Sequence, residues 1–256
     1  MKKSIALILA CATGVAAQAQ TIIDTLTGNL GAYTTTLVND TSSGAGQGVS
    51  FTSSASGLQA NYAGTGTTPE QAVFLAPASS FSTTFGVGDT LLVNTTMASS
   101  STTEDFGLAI AATATPTAAS SANYNTRGTF DWASISLRPS QTAIRVNTSI
   151  SGTVNTGGGI VGSITPANIS ELFITWNSAD SFSLGYVDNG VSTVDETVTF
   201  ASGSTIGTAI GFYGDLRATG TTLGDFTDLT IVPEPSTLAL CGVGLVALAG
   251  AVRRKK

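Results

Sequence analysis

Residues 171–190, ELFITWNSADSFSLGYVDNG, alternate apolar and polar side chains with a period of two, and this restricts the local structure sharply. Leu172, Ile174 and Trp176 fall on one face. Asn177 to Asp180 supplies a turn, after which Phe182, Leu184 and Tyr186 alternate with Ser181, Ser183 and Gly185. Neighbouring side chains of a strand point to opposite sides, so the pattern predicts a β-hairpin with one buried face. Asp188-Asn189-Gly190 starts the next turn, where left-handed backbone is needed.

Runs of the same kind occur at QGVSFTSS, GLQANYAG, DTLLVNTTM, DFGLAIAAT, WASISLR, TAIRVNTSI, DETVTF, AIGFYGDL and FTDLTIV. Turn residues separate them, and no stretch between the two ends carries a helical period. The prediction is an all-β chain folded as an antiparallel β-sandwich or jelly roll, with a barrel as the second choice. Abundant Ser, Thr and Gly would suit disorder, but regularly spaced aliphatic and aromatic residues oppose it.

Both ends differ from this pattern. MKKSIALILACATGVAAQAQ has a basic start in Lys2 and Lys3, an apolar stretch from Ile5, and the small-residue pattern Ala17-Gln18-Ala19. This is the layout of a secretory signal peptide over residues 1–19, removed by signal peptidase after Ala19. Cys11 allows lipoprotein processing as a rival, but Leu9 is large for that site. At the other end, residues 238–252 are uncharged and almost all apolar, and with Ser236 and Thr237 the run covers about 25 Å as a helix, short for a bilayer core of about 30 Å. One transmembrane helix at about 237–252 is expected, with Arg253, Arg254, Lys255 and Lys256 as a basic stop on the cytoplasmic side. A domain over residues 20–232 would then stand outside the membrane, followed by a tail over 233–256.

That tail opens with Pro233-Glu234-Pro235, and two prolines keep the tripeptide extended and out of the helix that follows. Proline pair, short spacer, apolar helix and basic terminus together resemble the PEP-CTERM sorting signal of bacterial envelope proteins. The resemblance implies that Pro233, Glu234 and Pro235 are the recognition motif for exosortase, a membrane transpeptidase that cuts near it. It also implies a setting in which exopolysaccharide is made. A plain C-terminal anchor is the alternative. The expected location is the inner membrane through the C-terminal helix, then the cell surface or extracellular space after processing.

The late segment, from LFITWNSADSFSLGYVDNG to GDFTDLTIV, resembles the second half of a concanavalin-like or laminin-G-like jelly roll, with Phe226, Asp228 and Leu229 matching its closing strand. This implies a fold and no activity.

Composition removes most chemistry. The chain has no His, and the segment between the ends has neither Lys nor Cys, which leaves no Ser-His-Asp triad, no thiolate, no Schiff base and no zinc cluster. That segment holds fifteen acidic residues against Arg127, Arg138, Arg145 and Arg217, a net of about −11, which repels nucleic acid. Paired carboxylates remain, as in glycoside hydrolysis. No two of the acids are two positions apart; Glu104-Asp105 and Asp195-Glu196 are adjacent and are expected to point to opposite faces of any strand. The expectation is therefore a protein that is not an enzyme.

Trp132, Trp176, Tyr124 and Tyr213 are the aromatics suited to sugar recognition. Trp176 reads as core, and the stretch NYNTRGTFDW nominates Tyr124, Arg127, Asp131 and Trp132 as ligand-facing. Asp225 and Asp228 are candidates for a structural Ca²⁺, against a capped turn, and no other cofactor or metal is expected. NTGGGIVGS carries no Lys and precedes no helix, so it reads as a turn and not as a phosphate loop. The sequons at Asn39, Asn94, Asn147 and Asn168 need a transferase to matter. The function expected is a structural or adhesive exported protein of the envelope or extracellular matrix. A carbohydrate-binding module for exopolysaccharide is the alternative, and a glycoside hydrolase comes after it.

Overall fold

The hairpin legible in the sequence lies near one side of a seven-strand path that crosses the first of two sheets. A computed structural model describes residues 20–40, 49–62, 70–96, 105–116, 130–161, 163–216 and 225–234. The first sheet runs β13 (Val191–Thr199), β12 (Ser181–Asp188), β11 (Ile169–Ser178), β6 (Thr90–Thr96), β15 (Asp225–Val232), β4 (Gly57–Tyr62), β3 (Val49–Ser54), and β1 (Thr21–Asp24) also pairs with β15. The second runs β10 (Thr153–Val161), β9 (Ala143–Ile150), β8 (Trp132–Arg138), β7 (Asp105–Ala111), β14 (Ala209–Leu216), β5 (Glu70–Pro77), β2 (Thr34–Asp40). Every pairing is antiparallel. The expected antiparallel β-sandwich is the fold, and the helical segments among the described residues are short 3₁₀ turns.

The β11–β12 hairpin pairs Leu172 with Tyr186, Ile174 with Leu184 and Trp176 with Phe182, as the alternation predicts. Its turn is tighter than expected: Ser178 pairs with Ser181, so only Ala179 and Asp180 make the bend. Asn189 and Gly190 have φ of 49° and 77°, the left-handed pair that joins β12 to β13. The glycine-rich stretch around Gly157 corrects an expectation: it lies in edge strand β10, where register shifts between Thr156, Gly158 and Val161 let the strand follow β9 irregularly.

The core fills the space between the sheets with Leu91, Val93, Phe106, Leu108, Ile110, Ile135, Leu172, Ile174, Phe182, Leu184, Phe212, Phe226, Leu229 and Ile231. Phe106 stacks on Phe226 at 4.1 Å between ring centroids, and Phe212 lies 5.6 Å from Phe226. Strands β7, β8 and β14 are buried at every position, so the middle of the second sheet is closed on its outer face as well. Antiparallel sheets more often keep one face wet. Phe130 and Ala114, from the β7–β8 connection, pack on this outer face. Among the described residues no helix is long and apolar enough to cross a membrane, and the expected transmembrane segment lies outside those residues.

Candidate functional site

The alternation of β8 decides where its side chains go. Ala133, Ile135 and Leu137 enter the inter-sheet core, which leaves Trp132, Ser134, Ser136 and Arg138 on the outer face of the second sheet. Trp132 is 0 % exposed, stacked on Tyr213 at 5.2 Å and near Phe130 at 6.5 Å, within a small apolar cluster that also holds Val73, Leu75, Ala109, Ala111 and Ala209. The indole therefore meets protein and presents no ligand-facing surface in this structure. Asp131 ties connections together: its carboxylate accepts hydrogen bonds from the Ser151 backbone N–H at 2.7 Å and from Ser204 Oγ at 3.0 Å, and its carbonyl accepts one from the Ala112 N–H. Tyr124 and Arg127 lie outside the described residues. Trp176 packs from the core side against Phe85 and Phe182, with its ring over Gly207, where an added Cβ would come within 2.8 Å.

At the opposite end of the same outer face lies a charge cluster that the sequence reading did not nominate. Arg138 donates from Nε to Asp105 Oδ1 at 2.6 Å and from Nη2 to Asp105 Oδ2 at 2.8 Å, a two-point ion pair, and Arg145 Nη1 reaches Asp105 Oδ2 at 3.5 Å. Asp215 Oδ2 lies 3.9 Å from Arg138 Nη2 and accepts from Gln71 Nε2 at 2.8 Å. Two guanidinium groups thus balance two carboxylates away from water. Burial, and after it the Asp215 charge, push the Asp105 carboxyl up; hydrogen bonding and charge from Arg138, with Arg145 beyond, oppose the rise without cancelling it. A signal existed in the sequence. Arg138, Arg145, Asp105 and Asp215 all fall on the parity opposite to the residues that enter the inter-sheet core, in a segment with very few Arg.

The adjacent acids Asp195 and Glu196 also depart from expectation. Leu184 pairs with Glu196 and Gly185 with Val194, so Asp195 is the extra residue of a β-bulge in edge strand β13. The bulge breaks the alternation and brings the two carboxylates into each other's field. Burial, with the Glu196 charge second, pushes Asp195 up to about 6, and burial also raises Glu196. Asp225 and Asp228 each accept from an amide, Gln59 Nε2 at 2.7 Å and Asn94 Nδ2 at 3.2 Å. Among the described residues no three His, Cys, Asp or Glu side chains gather as metal ligands.

The sorting tripeptide starts where the sandwich stops. Val232 still pairs with Thr90 of β6, whereas Pro233 lacks the N–H that would extend the ladder. Pro233 and Glu234 are exposed; Pro235 and the basic residues Arg253, Arg254, Lys255 and Lys256 lie outside the described residues.

No curated protein matches the chain in sequence. Among solved structures it is similar to a carbohydrate binding module from Bacillus subtilis, at 11 % identity over 79 % of this chain and 92 % of that one, with a TM-score of 0.39. It is similar to the Bacillus licheniformis beta-glucanase at 12 % identity, covering 82 % and 96 %, with a TM-score of 0.43. The lectin UEA-II, complexed with galactose, shares 10 % identity over 84 % of this chain and 98 % of its own, with a TM-score of 0.48. The family model described as the PEP-CTERM protein-sorting motif matches residues 232–255. That match opens on the last residue of β15, so the final strand of the sandwich runs directly into a PEP-CTERM protein-sorting motif.

Proposed function

We propose that this chain is an exported protein delivered to the cell envelope or extracellular matrix by its C-terminal motif, and that its sandwich serves there as a structural or adhesive module without catalysis. The observation that carries this reading is the junction itself: a sorting motif over residues 232–255 begins on the last residue of a folded strand. Exosortase and signal peptidase are the processing partners, with the C-terminal segment as the membrane anchor until the cut. The buried charges support a structural role for the second sheet, because Arg138 and Arg145 pair with Asp105, Arg138 also meets Asp215 and Gln141, and Asp215 accepts from Gln71. No cofactor is proposed.

The test compares the intact chain with a triple variant, Pro233→Ala, Glu234→Ala and Pro235→Ala, in a host that carries the sorting enzyme. The intact chain is expected at the surface or outside the cell with its tail removed, and the variant in the membrane with its tail retained. Identical fractionation of the two would end the sorting reading. Residues 20–232, incubated with polysaccharides, are expected to release no reducing sugar, and release would restore glycoside hydrolysis. Retention on an insoluble glycan would favour the carbohydrate-binding alternative.

A further inference from the structure

Asn189-Gly190 is the one Asn-Gly pair in the chain, and it forms the whole loop between β12 and β13. Asp188 pairs with Val191 across it, and both loop residues are left-handed, with φ of 49° and 77°. Both are exposed, and a Cβ added at Gly190 would meet nothing within 4 Å. The Asn189 side chain is held by Asp188 Oδ1, which accepts from its Nδ2 at 3.0 Å. The Asn189 backbone N–H donates to the Asn168 carbonyl at 3.1 Å, whereas the Gly190 N–H has no acceptor among the described residues.

The carbonyl carbon of an asparagine side chain is open to attack by the backbone nitrogen of the next residue, and a following glycine shields that nitrogen least because it has no Cβ. We propose that Asn189 is a self-modification site, where the Gly190 nitrogen closes on the Asn189 side chain and water then opens the ring to isoaspartate. In the first step the bond from the Gly190 nitrogen to Asn189 Cγ forms and the Cγ–Nδ2 bond breaks. The Gly190 nitrogen gives up its proton, and the side-chain amide leaves as ammonia. In the second step water adds to a ring carbonyl, its hydroxyl staying on carbon and its proton going to the nitrogen. Opening at Cγ yields ordinary aspartate; opening at the main-chain carbonyl carbon leaves the chain running through Cβ and Cγ, as isoaspartate.

Isoaspartate adds a backbone atom to a very tight loop, so Asp188 and Val191 can no longer stay opposite each other in the same ladder. β13 depends on that ladder, since it is the outermost strand of its sheet and β12 is its ladder partner among the described residues. The conversion also sets a new carboxylate beside Asp188, next to a strand that already carries Asp195 and Glu196. Ageing at this turn therefore loosens the edge of the first sheet while β11 keeps its pairing with β6.

The experiment stores the purified full-length protein at mildly alkaline pH, where the Gly190 nitrogen loses its proton more easily, and maps its peptides by mass at intervals. Asn189 is expected to convert before every other asparagine, chiefly to isoaspartate, and hydrogen-exchange protection over Val191–Thr199 is expected to be lost as it does so. Asn189→Asp, made directly, adds the same charge without the extra backbone atom and is expected to keep that protection. Conversion of another asparagine first, or of Asn189 only in urea, overturns the proposal. Equal loss of protection in stored protein and in fresh Asn189→Asp also overturns it, because the lengthened backbone would then have no effect.

Discussion

At the scale of single residues, the ion pair between Arg138 and Asp105 has the most at stake. Removing one partner of a buried pair leaves the other charged, unpaired and out of water, a loss of about 3–5 kcal/mol. Asp105→Asn is expected to lower the urea midpoint accordingly. Replacing both partners, Asp105→Leu with Arg138→Met, is expected to recover much of that loss, because the desolvation of both charges is removed together. If single and double variants unfold at the same midpoint, the cluster is not the unit described. Asp195 gives a pH signature set by burial beside a second carboxylate. Its folded pKa, about 6, exceeds its ordinary 3.8, so the native state holds this proton more tightly than the unfolded chain does. Stability from this group is fully present below pH 3.8 and is lost as pH rises through 6. After a discount for solvent screening it amounts to about 1 kcal/mol, or roughly 2–4 °C in Tm for a domain of this size. Asp195→Asn is expected to gain that margin over the parent at pH 7 and to lose its advantage at pH 4, as read by thermal melts at the two pH values.

At the scale of elements, strands with a clear two-residue period were legible, the fully buried β7, β8 and β14 among them, and features placed by tertiary circumstance were not. The β11–β12 hairpin and the Asn189-Gly190 turn could be read directly, since period and turn chemistry agreed. β10 was not, because glycine reads as turn while the bulged edge strand accepts it through backbone pairing alone. The burial of Trp132 was equally hidden. Its position at the start of β8 fixes its parity, but only the closure of the outer face by tertiary packing makes that parity dry. The adjacent acids show the same limit, since a strict two-residue period cannot foresee a bulge. Gly185 tests the packing of an element that was legible. An added Cβ would come within 2.3 Å of Phe173 Cζ and of the Thr193 carbonyl oxygen, so Gly185→Ala must displace both the ring and strand β13. A loss of about 1–3 kcal/mol is expected in urea unfolding, the range for overpacking, and a neutral result would mean that the two strands separate easily there.

At the scale of the whole molecule, topology makes the end of the chain indispensable to its beginning. The first sheet consists of β13-β12-β11-β6 on one side and β4-β3 on the other, and β15 is the strand that joins them. Such a sheet cannot close until its last strand is in place. Burial supports the same argument, since Phe226 fills the centre of the aromatic stack with Phe106 and Phe212. Phe226→Ala is expected to cost about 3–5 kcal/mol, the range for emptying an aromatic site in a packed core. Truncation is a sharper test than this variant. Residues 20–232 contain every strand among the described residues and are expected to unfold in one cooperative urea transition. Residues 20–224 lack β15, leave the buried positions facing it without a partner, and are expected to bind a hydrophobic dye and show no cooperative transition. A cooperative transition of unchanged midpoint in the shorter chain would mean that the sheet closes without its last strand, and completion of the fold would then be independent of the segment that carries the address.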